Sequence, residues 1–451
     1  MIAFSCLGDY DNARKILGGL RMVQSEDGSF PSSVSAKTGE VYNSAKYTGA
    51  NAWIVMAVDY YTIATGDNSY VNMAKSCANW FLQFKDTDGG IKGGINASGF
   101  NFCWKSTEHN LDAYSALLNL CHITDDITYC DAAVDVRRWI ETEEWNDLES
   151  RFCRGENCLG EIDCYCALDV NPWTILALGT EGPPKGADYR RALDWAYNNC
   201  RNSQNWSSLC GNITNIEGFD FDCDCDTVWI EGTESMSCAL FHANYSVNSK
   251  NSDYFHRQIE KLHAVTGDGG LPYTTNPGTV DENGELSTTC SSVAGTAWYI
   301  FAEKQLNPFE TIKIEVFDTG PGTYPSIMGT HNGTIKSAHD VNISKMFTYP
   351  CAGTGGHSEW VAFYNSTTGK EIAIGTWKGY SVGDHQYIKF DKEFVLHEGV
   401  TYNYTIRTGS YPQIIHEHVF NTASDGEITC TKFVDANGKV YDDWIPAIRL
   451  E

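Results

Sequence analysis

The stretch WKSTEHNLDAY, residues 104–114, opens a helix in an unusual way. Trp104, Glu108, His109 and Asp112 crowd its first turns, and small and apolar residues follow. Four other stretches open alike: YTGANAW at 47–53, LDVNPW at 168–173, DTVWIEGT at 226–233 and SSVAGTAW at 291–298. Helix caps account for one Ser, Thr or Asp per start. They do not account for Trp, His and paired acids at each. The helices behind these openings are apolar all round, as inner helices are. Those between them, such as DAAVDVRRWIETEEW and ADYRRALDWAYNNC, have one apolar and one charged face, as outer helices do.

Gly-rich turns recur between the helices: DGSF at 27–30, DGGI at 88–91 and DGGLP at 268–272. Two helices plus such a loop, repeated, is the mark of a helical array. Alternation of inner and outer helices predicts an all-α (α/α) toroid of helical hairpins. Five openings fit a ring of six hairpins with one inner helix divergent. A composition break at Asn307-Pro308-Phe309 predicts two domains, 1–309 and 310–451. Beyond it, IKIEVF, MFTYP, WVAFY, EIAIGTW, QYIKF, TYNYTIRT and AIRL alternate as strands do, with turns such as Asn437-Gly438. The tail reads as an all-β sandwich.

The chain has 451 residues and a net charge of −26, which repels phosphate backbones and excludes nucleic acid as a main partner. No apolar run is long enough to span a membrane, and the first fifteen residues do not read as a signal peptide. Seventeen cysteines are far too many for a reducing cytosol. With sequons at Asn96, Asn205, Asn212, Asn244, Asn332, Asn342, Asn365 and Asn403 they point to an extracellular or cell-surface protein. Cys351 and Cys430, alone in the tail, are expected to bridge. Cys153 and Cys158 would close a small loop. The pairs Cys164/Cys166 and Cys223/Cys225 precede inner helices and are expected to cross-bridge two loops on one rim; zinc is the other use of four such thiols.

That rim carries the chemistry. Glycan hydrolysis needs two carboxyl groups across the scissile bond, one protonated and one ionised. Glu108 is the first choice for the acid, with Asp169 or Glu231 as partner. A plain first-turn acid favoured by the helix dipole is the bland alternative. Tyr47, Asn51, Trp104, His109, Asp112, Asn171, Trp173, Asp226 and Trp229 are the candidate substrate contacts. Trp53, Trp173 and Trp298 lie a turn further in, where packing claims at least two of them; Tyr47 and Trp229 sit nearer the rim for stacking on sugars. In GFDFDCDCD, 218–226, an extended chain would put Asp220, Asp222, Asp224 and Asp226 on one face. Calcium at Asp220, Asp222 and Asp224 is one reading and a solvated loop the other. No cofactor is otherwise required.

STEHNLDAY, ALDVNPW, DTVWIEGT and SSVAGTAWYIFAEKQLNPF resemble the six-hairpin (α/α)-toroid glycosidase superfamily over roughly residues 20–309. The resemblance implies that fold and a glycan partner. It leaves the reaction open, since hydrolases, phosphorylases and polysaccharide lyases share the fold. YPSIMGTHNGTI, YPCAGTGGHSEWVAFYN, TYNYTIRTGSYPQIIH and DANGKVYDDWIPAIRL are similar to β-domains of archaeal surface proteins, which implies envelope association or self-assembly. Three functions follow: a glycoside hydrolase, a lyase on the same ring, or a non-catalytic surface protein that keeps the ring as scaffold. A lyase needs a His or Tyr base and a cation for the uronate. Lys46 and Lys105 are the few basic residues near the openings.

Overall fold

The computed structural model describes residues 1–124, 126–182, 186–208, 211–266, 269–278, 288–310, 316–380, 385–422 and 425–451. Asp268 of the third Gly-rich turn and residues 312–315 of the expected IKIEVF strand lie outside these. The chain divides into two compact units, Met1–Ile312 and Lys313–Glu451. The division falls beyond Phe309 because Phe309 packs against Trp53 and Trp173, and the Glu310 carbonyl accepts from Asn119.

Unit 1 is a ring. Its inner helices are α1 (Ile2–Cys6), α3 (Thr48–Thr65), α5 (Thr107–Thr124), α7 (Val170–Leu178), α9 (Ile230–His242) and α11 (Val293–Glu303). Each packs on the next, and α1 touches both α11 and α3, which closes the circle. The sixth inner place is therefore held by the five-residue α1, which has none of the polar-aromatic openings. The outer helices are α2 (Tyr10–Val23), α4 (Val71–Phe81), α6 (Ile127–Glu143), α8 (Arg190–Asn199) and α10 (Ser252–His263). Each buries one face on the inner layer, as at Phe255, Ile259 and Leu262 of α10.

One device recurs at five inner helices. Asn51 accepts the Phe30 N–H at 2.7 Å and donates to the Tyr47 carbonyl at 2.8 Å. Asn110 does the same to Ile91 and Ser106, both at 2.8 Å. Asn171 takes Phe152 N–H at 3.1 Å and gives to Ala167 O at 3.2 Å. Thr233 accepts from Phe219 N at 3.0 Å and Thr296 from Leu271 N at 3.0 Å, each donating to the carbonyl four residues back. Each side chain staples the preceding loop to the first turn of its helix. An unmet amide in such a buried place costs about 1–3 kcal/mol, so the staples fix the rim.

Trp53, Trp173, Trp298 and Phe309 plug the middle of the ring, with Trp173 and Trp298 stacked at 5.6 Å.

Unit 2 is an antiparallel β-sandwich whose large sheet has twelve strands, ten on one hydrogen-bonded path and two, Lys432–Asp435 and Val440–Tyr441, branching from Gly329–Ser337. The path narrows to a single pair, Gly375 with Phe390, between Glu371–Thr376 and Tyr387–Leu396. Val361, Phe363, Ile388, Tyr404 and Ile406 fill its core. Cys351 and Cys430 do not bridge. Cys351 sits where its N–H bonds the Tyr411 carbonyl, whereas the Cys430 N–H bonds the His418 carbonyl, so different segments hold the two thiols.

Candidate active site

The staples set a register. Two residues before Asn51, Asn110, Asn171, Thr233 and Thr296 stand Gly49, Glu108, Asp169, Glu231 and Ala294. Three successive inner helices thus deliver a carboxyl at one position. Two residues after the staples stand Trp53, Asp112, Trp173, Ser235 and Trp298. Asp112 therefore takes a plug position where three other helices place an indole.

Glu108 and Asp169 line one cavity of about 520 Å³, with Trp104, Arg154, Glu156, Asp163 and Phe221 among its walls. Burial, then Asp169 and Glu231, holds the Glu108 carboxyl well above the usual carboxylate range. Burial raises Asp169 only to about 6, because the Val170 N–H, 2.8 Å from its Oδ1, favours the anion. Burial and Asp169 raise Glu231 to about 7, opposed by the Trp298 indole. Asp112 is 1% exposed and neither of its oxygens completes a hydrogen bond, although the Trp53 indole approaches it. Burial, followed by Glu108, Asp169 and Glu231, holds it well above the usual range. Four carboxyls are thus electrostatically joined, and among the described residues no Lys or Arg pairs with any of them.

Trp104 packs on Phe102 at 4.9 Å and on His109 at 5.5 Å, and Tyr47 stacks on Phe102 at 5.3 Å. Burial lowers His109 to about 4, so its ring is neutral. Gly49 makes room for this wall: a Cβ there would collide with the His109 ring and lie 2.8 Å from the Asp112 carboxyl. Lys105 is buried beneath the wall and held by Asp88, by Glu156 at 3.1 Å and by Asp86 at 3.4 Å. Arg154 pairs with Asp163 at 2.7 Å.

Several expected contacts lie elsewhere. Asn51 and Asn171 are fully buried and spend their amides as staples. Trp173 belongs to the plug. Trp229 is 5% exposed, packed edge-on by Phe221, so Phe221 faces the cavity in its place. Asp226 lies on the acidic loop and does not line this cavity. That loop is bent, not extended. It gathers oxygens of Asp220, Asp224 and Asp226 within 4.8 Å, while Asp222 accepts the Asp224 N–H. Both Asp220 oxygens already accept backbone N–H groups. The segment RGENC, 154–158, and Asp163 were missed in the sequence. Their one signal was the run of cysteines around them.

Disulfides fasten this wall. Cys103 pairs with Cys158 and Cys153 with Cys164, so Cys153 and Cys158 do not close their own loop: each faces a different neighbouring segment. Cys166 pairs with Cys223, joining the two C-x-C loops, and leaves Cys225 free. Cys121 and Cys130 tie α5 to α6.

A closed ring of inner helices backed by outer ones is an (α/α) toroid, and Glu108 and Asp169 lie together at one cavity of it. No family model and no curated protein matches the sequence. Among solved structures, the chain is similar to the cellobiose 2-epimerase of Bacillus thermoamylovorans, at 13% identity over 68% of this chain and 84% of that one, with a TM-score of 0.47. It is similar to a D-mannose isomerase at 12% identity, over 63% and 78%, with a TM-score of 0.44. A family 76 α-mannanase of Bacteroides thetaiotaomicron aligns at 15% identity over 57% and 69%, with a TM-score of 0.38.

Proposed function

We propose that the protein hydrolyses glycosidic bonds in an oligo- or polysaccharide, with Glu108 as general acid and Asp169 as its ionised partner. One observation carries this reading: the two carboxyls face one cavity, and their surroundings push their protonation apart. Glu108 keeps its proton and gives it to the leaving oxygen. Asp169 stays ionised at neutral pH and activates water or attacks the sugar. Glu231, two inner helices on, helps to hold the Glu108 proton. Trp104 and Phe221 offer flat faces to the sugar.

A lyase is the weaker reading, because burial makes His109 a weak base and Arg154 is engaged by Asp163. An open cavity of this size also favours an enzyme over a mere scaffold. Four disulfides support an extracellular setting, and no helix among the described residues is long and apolar enough to cross a membrane. Calcium on the acidic loop would brace the wall near Phe221; chelation should then lower the melting temperature.

The test is release of reducing ends from a panel of neutral, acidic and amino-sugar glycans. Glu108→Gln and Asp169→Asn should each abolish it. Unchanged release in both variants would overturn the assignment, and unsaturated uronate products would replace it with a lyase.

A further inference from the structure

We infer that the substrate is a long, uncharged glycan chain, which runs out of the cavity over a row of aromatic rings, Trp104, Phe102 and Phe100. The inference rests on the glycan reading above and names the substrate class of the same site.

The row is built by local sequence. The stretch GGINASGFNFCW, 93–104, folds back on itself as a two-stranded ribbon. The Phe102 N–H donates to the Gly94 carbonyl at 2.8 Å, Ile95 bridges Asn101, and the Asn96 N–H donates to the Phe100 carbonyl at 2.9 Å. Alternate residues of an extended strand share a face, so Phe100 falls on the side of Phe102. The rings of Phe102 and Trp104 touch, 4.9 Å apart. Trp104 is a wall of the cavity that holds Glu108 and Asp169. The row therefore starts at the cavity and ends at Phe100, about 13 Å further on at the rise of a strand.

Packing explains the inner end of this row but not the outer end. Trp104 lies against Gly93, where a Cβ would collide with its ring. Gly94 stands in register between Tyr47 and Phe102, and those two rings stack at 5.3 Å. Phe100 is 71% exposed, and among the described residues no ring packs on it. A scattered exposed aromatic means little. One that prolongs a cavity wall offers the next flat face to a chain that leaves the cavity.

Charge selects the kind of chain. No residue from Gly93 to Trp104 is charged, in a protein of net charge −26. The bases nearby are engaged by acids: Lys46 by Asp27, Lys105 by Asp86, Asp88 and Glu156, and Arg154 by Asp163. An acidic glycan would meet like charge without a counter-ion, whereas the apolar ring faces of a neutral one suit the row.

The test is electrophoresis of the full chain in native gels cast with yeast mannan, galactomannan, xyloglucan, mixed-linkage β-glucan or, as acidic probes, polygalacturonate and alginate. At least one neutral polymer should retard the chain, and its disaccharide should compete poorly. Phe100→Ala should weaken retardation roughly fivefold or more, the loss of one stacking face. Met22→Ala removes an exposed apolar side chain from the outer helix α2 and should change nothing. No retardation by any neutral polymer, stronger retardation by the acidic ones, full retention in Phe100→Ala, or equal loss in Met22→Ala would each overturn the inference. Because retardation does not involve hydrolysis, the two readings fail separately. Cleavage of short oligosaccharides without Phe100-dependent polymer binding sinks only this one. Phe100-dependent binding without cleavage of any glycan sinks only the hydrolase.

Discussion

Asn110 and Ile91 hold each other by two hydrogen bonds: the side-chain oxygen accepts the Ile91 N–H at 2.8 Å and the side-chain nitrogen donates to its carbonyl at 3.0 Å. Both residues are fully buried. Asn110→Ala would leave the Ile91 amide and carbonyl without partners. We expect a loss of about 2–4 kcal/mol in urea denaturation, from two unmet buried groups. A loss under about 0.5 kcal/mol would show that the loop is held by other contacts.

Glu108→Gln keeps the shape of the acid and removes its transferable proton. Asp169→Asn keeps an oxygen for the Val170 N–H and removes the charge. Each should lower kcat by roughly 100- to 10,000-fold, the usual worth of a positioned acid or base. Circular dichroism should show both variants folded. A drop below tenfold in either would remove that residue from the mechanism.

The pH dependence of kcat/KM should rise through about pH 6, as Asp169 ionises, and fall only on the alkaline side, where Glu108 loses the proton that burial and its acidic neighbours hold. Asp169→Glu should displace the acid limb and leave the alkaline limb. An acid limb unmoved by that change would assign it to another group.

Glu144 is fully buried and its carboxyl oxygens have no partner; the neighbouring Thr107 hydroxyl is given to the Cys153 carbonyl at 2.7 Å. Burial raises Glu144 to about 8. Its folded pKa lies above the unfolded one, so the native chain keeps a proton that the unfolded chain has lost. Stability therefore falls as pH rises from about 4.5 to about 8 and is flat above. Glu144→Gln should remove this loss, a relative gain on the order of 2–4 kcal/mol at pH 9 against pH 4.5. Parallel stability curves for the two proteins would refute the assignment.

Cys200 is a buried thiol whose Sγ lies 3.6 Å from that of Cys166, in the group that also holds Cys223. Cys166→Ser frees Cys223, and Cys200 is near enough to replace the lost partner. Peptide mapping should find Cys200 joined to Cys223. Stability should fall less in this variant than in the Cys166→Ser/Cys200→Ser double variant, where no such bridge can form; the shorter loop closed between Cys200 and Cys223 is worth roughly 3.4 kcal/mol. Recovery of Cys223 as a free thiol in the single variant would contradict this.

The ring could be read from five helix openings because they alternate with amphipathic helices, and that pattern is local. Glu108, Asp169 and Glu231 were legible for the same reason. The roles of Asn51 and Asn171 were not. An Asn at a helix start bonds a sugar or a loop with the same atoms, and only the position of Phe30 or Phe152 decides. Trp229 looked exposed because it precedes its helix, yet Gly232 and Leu168 let it fold inward under Phe221. Disulfide partners come from loops distant in sequence, so Cys103 with Cys158 carries no local signal. In the tail, being the only two cysteines implied a pair, but Cys351 bonds the backbone at Tyr411 and Cys430 that at His418, two separate segments.

The stapled register makes the rim a set of interchangeable sockets. Each unit of roughly sixty residues presents one side chain at the same place, and the staple that fixes the place is not the side chain presented. Selection can therefore rewrite the chemistry one socket at a time without touching the frame. Gly49 is closed to change by the His109 ring, whereas Ala294 is exposed and unoccupied by any functional group. An acid or base placed at Ala294 would extend the row of carboxyls to a fourth helix, which makes that position the natural entry point for evolving or engineering a new specificity on this ring.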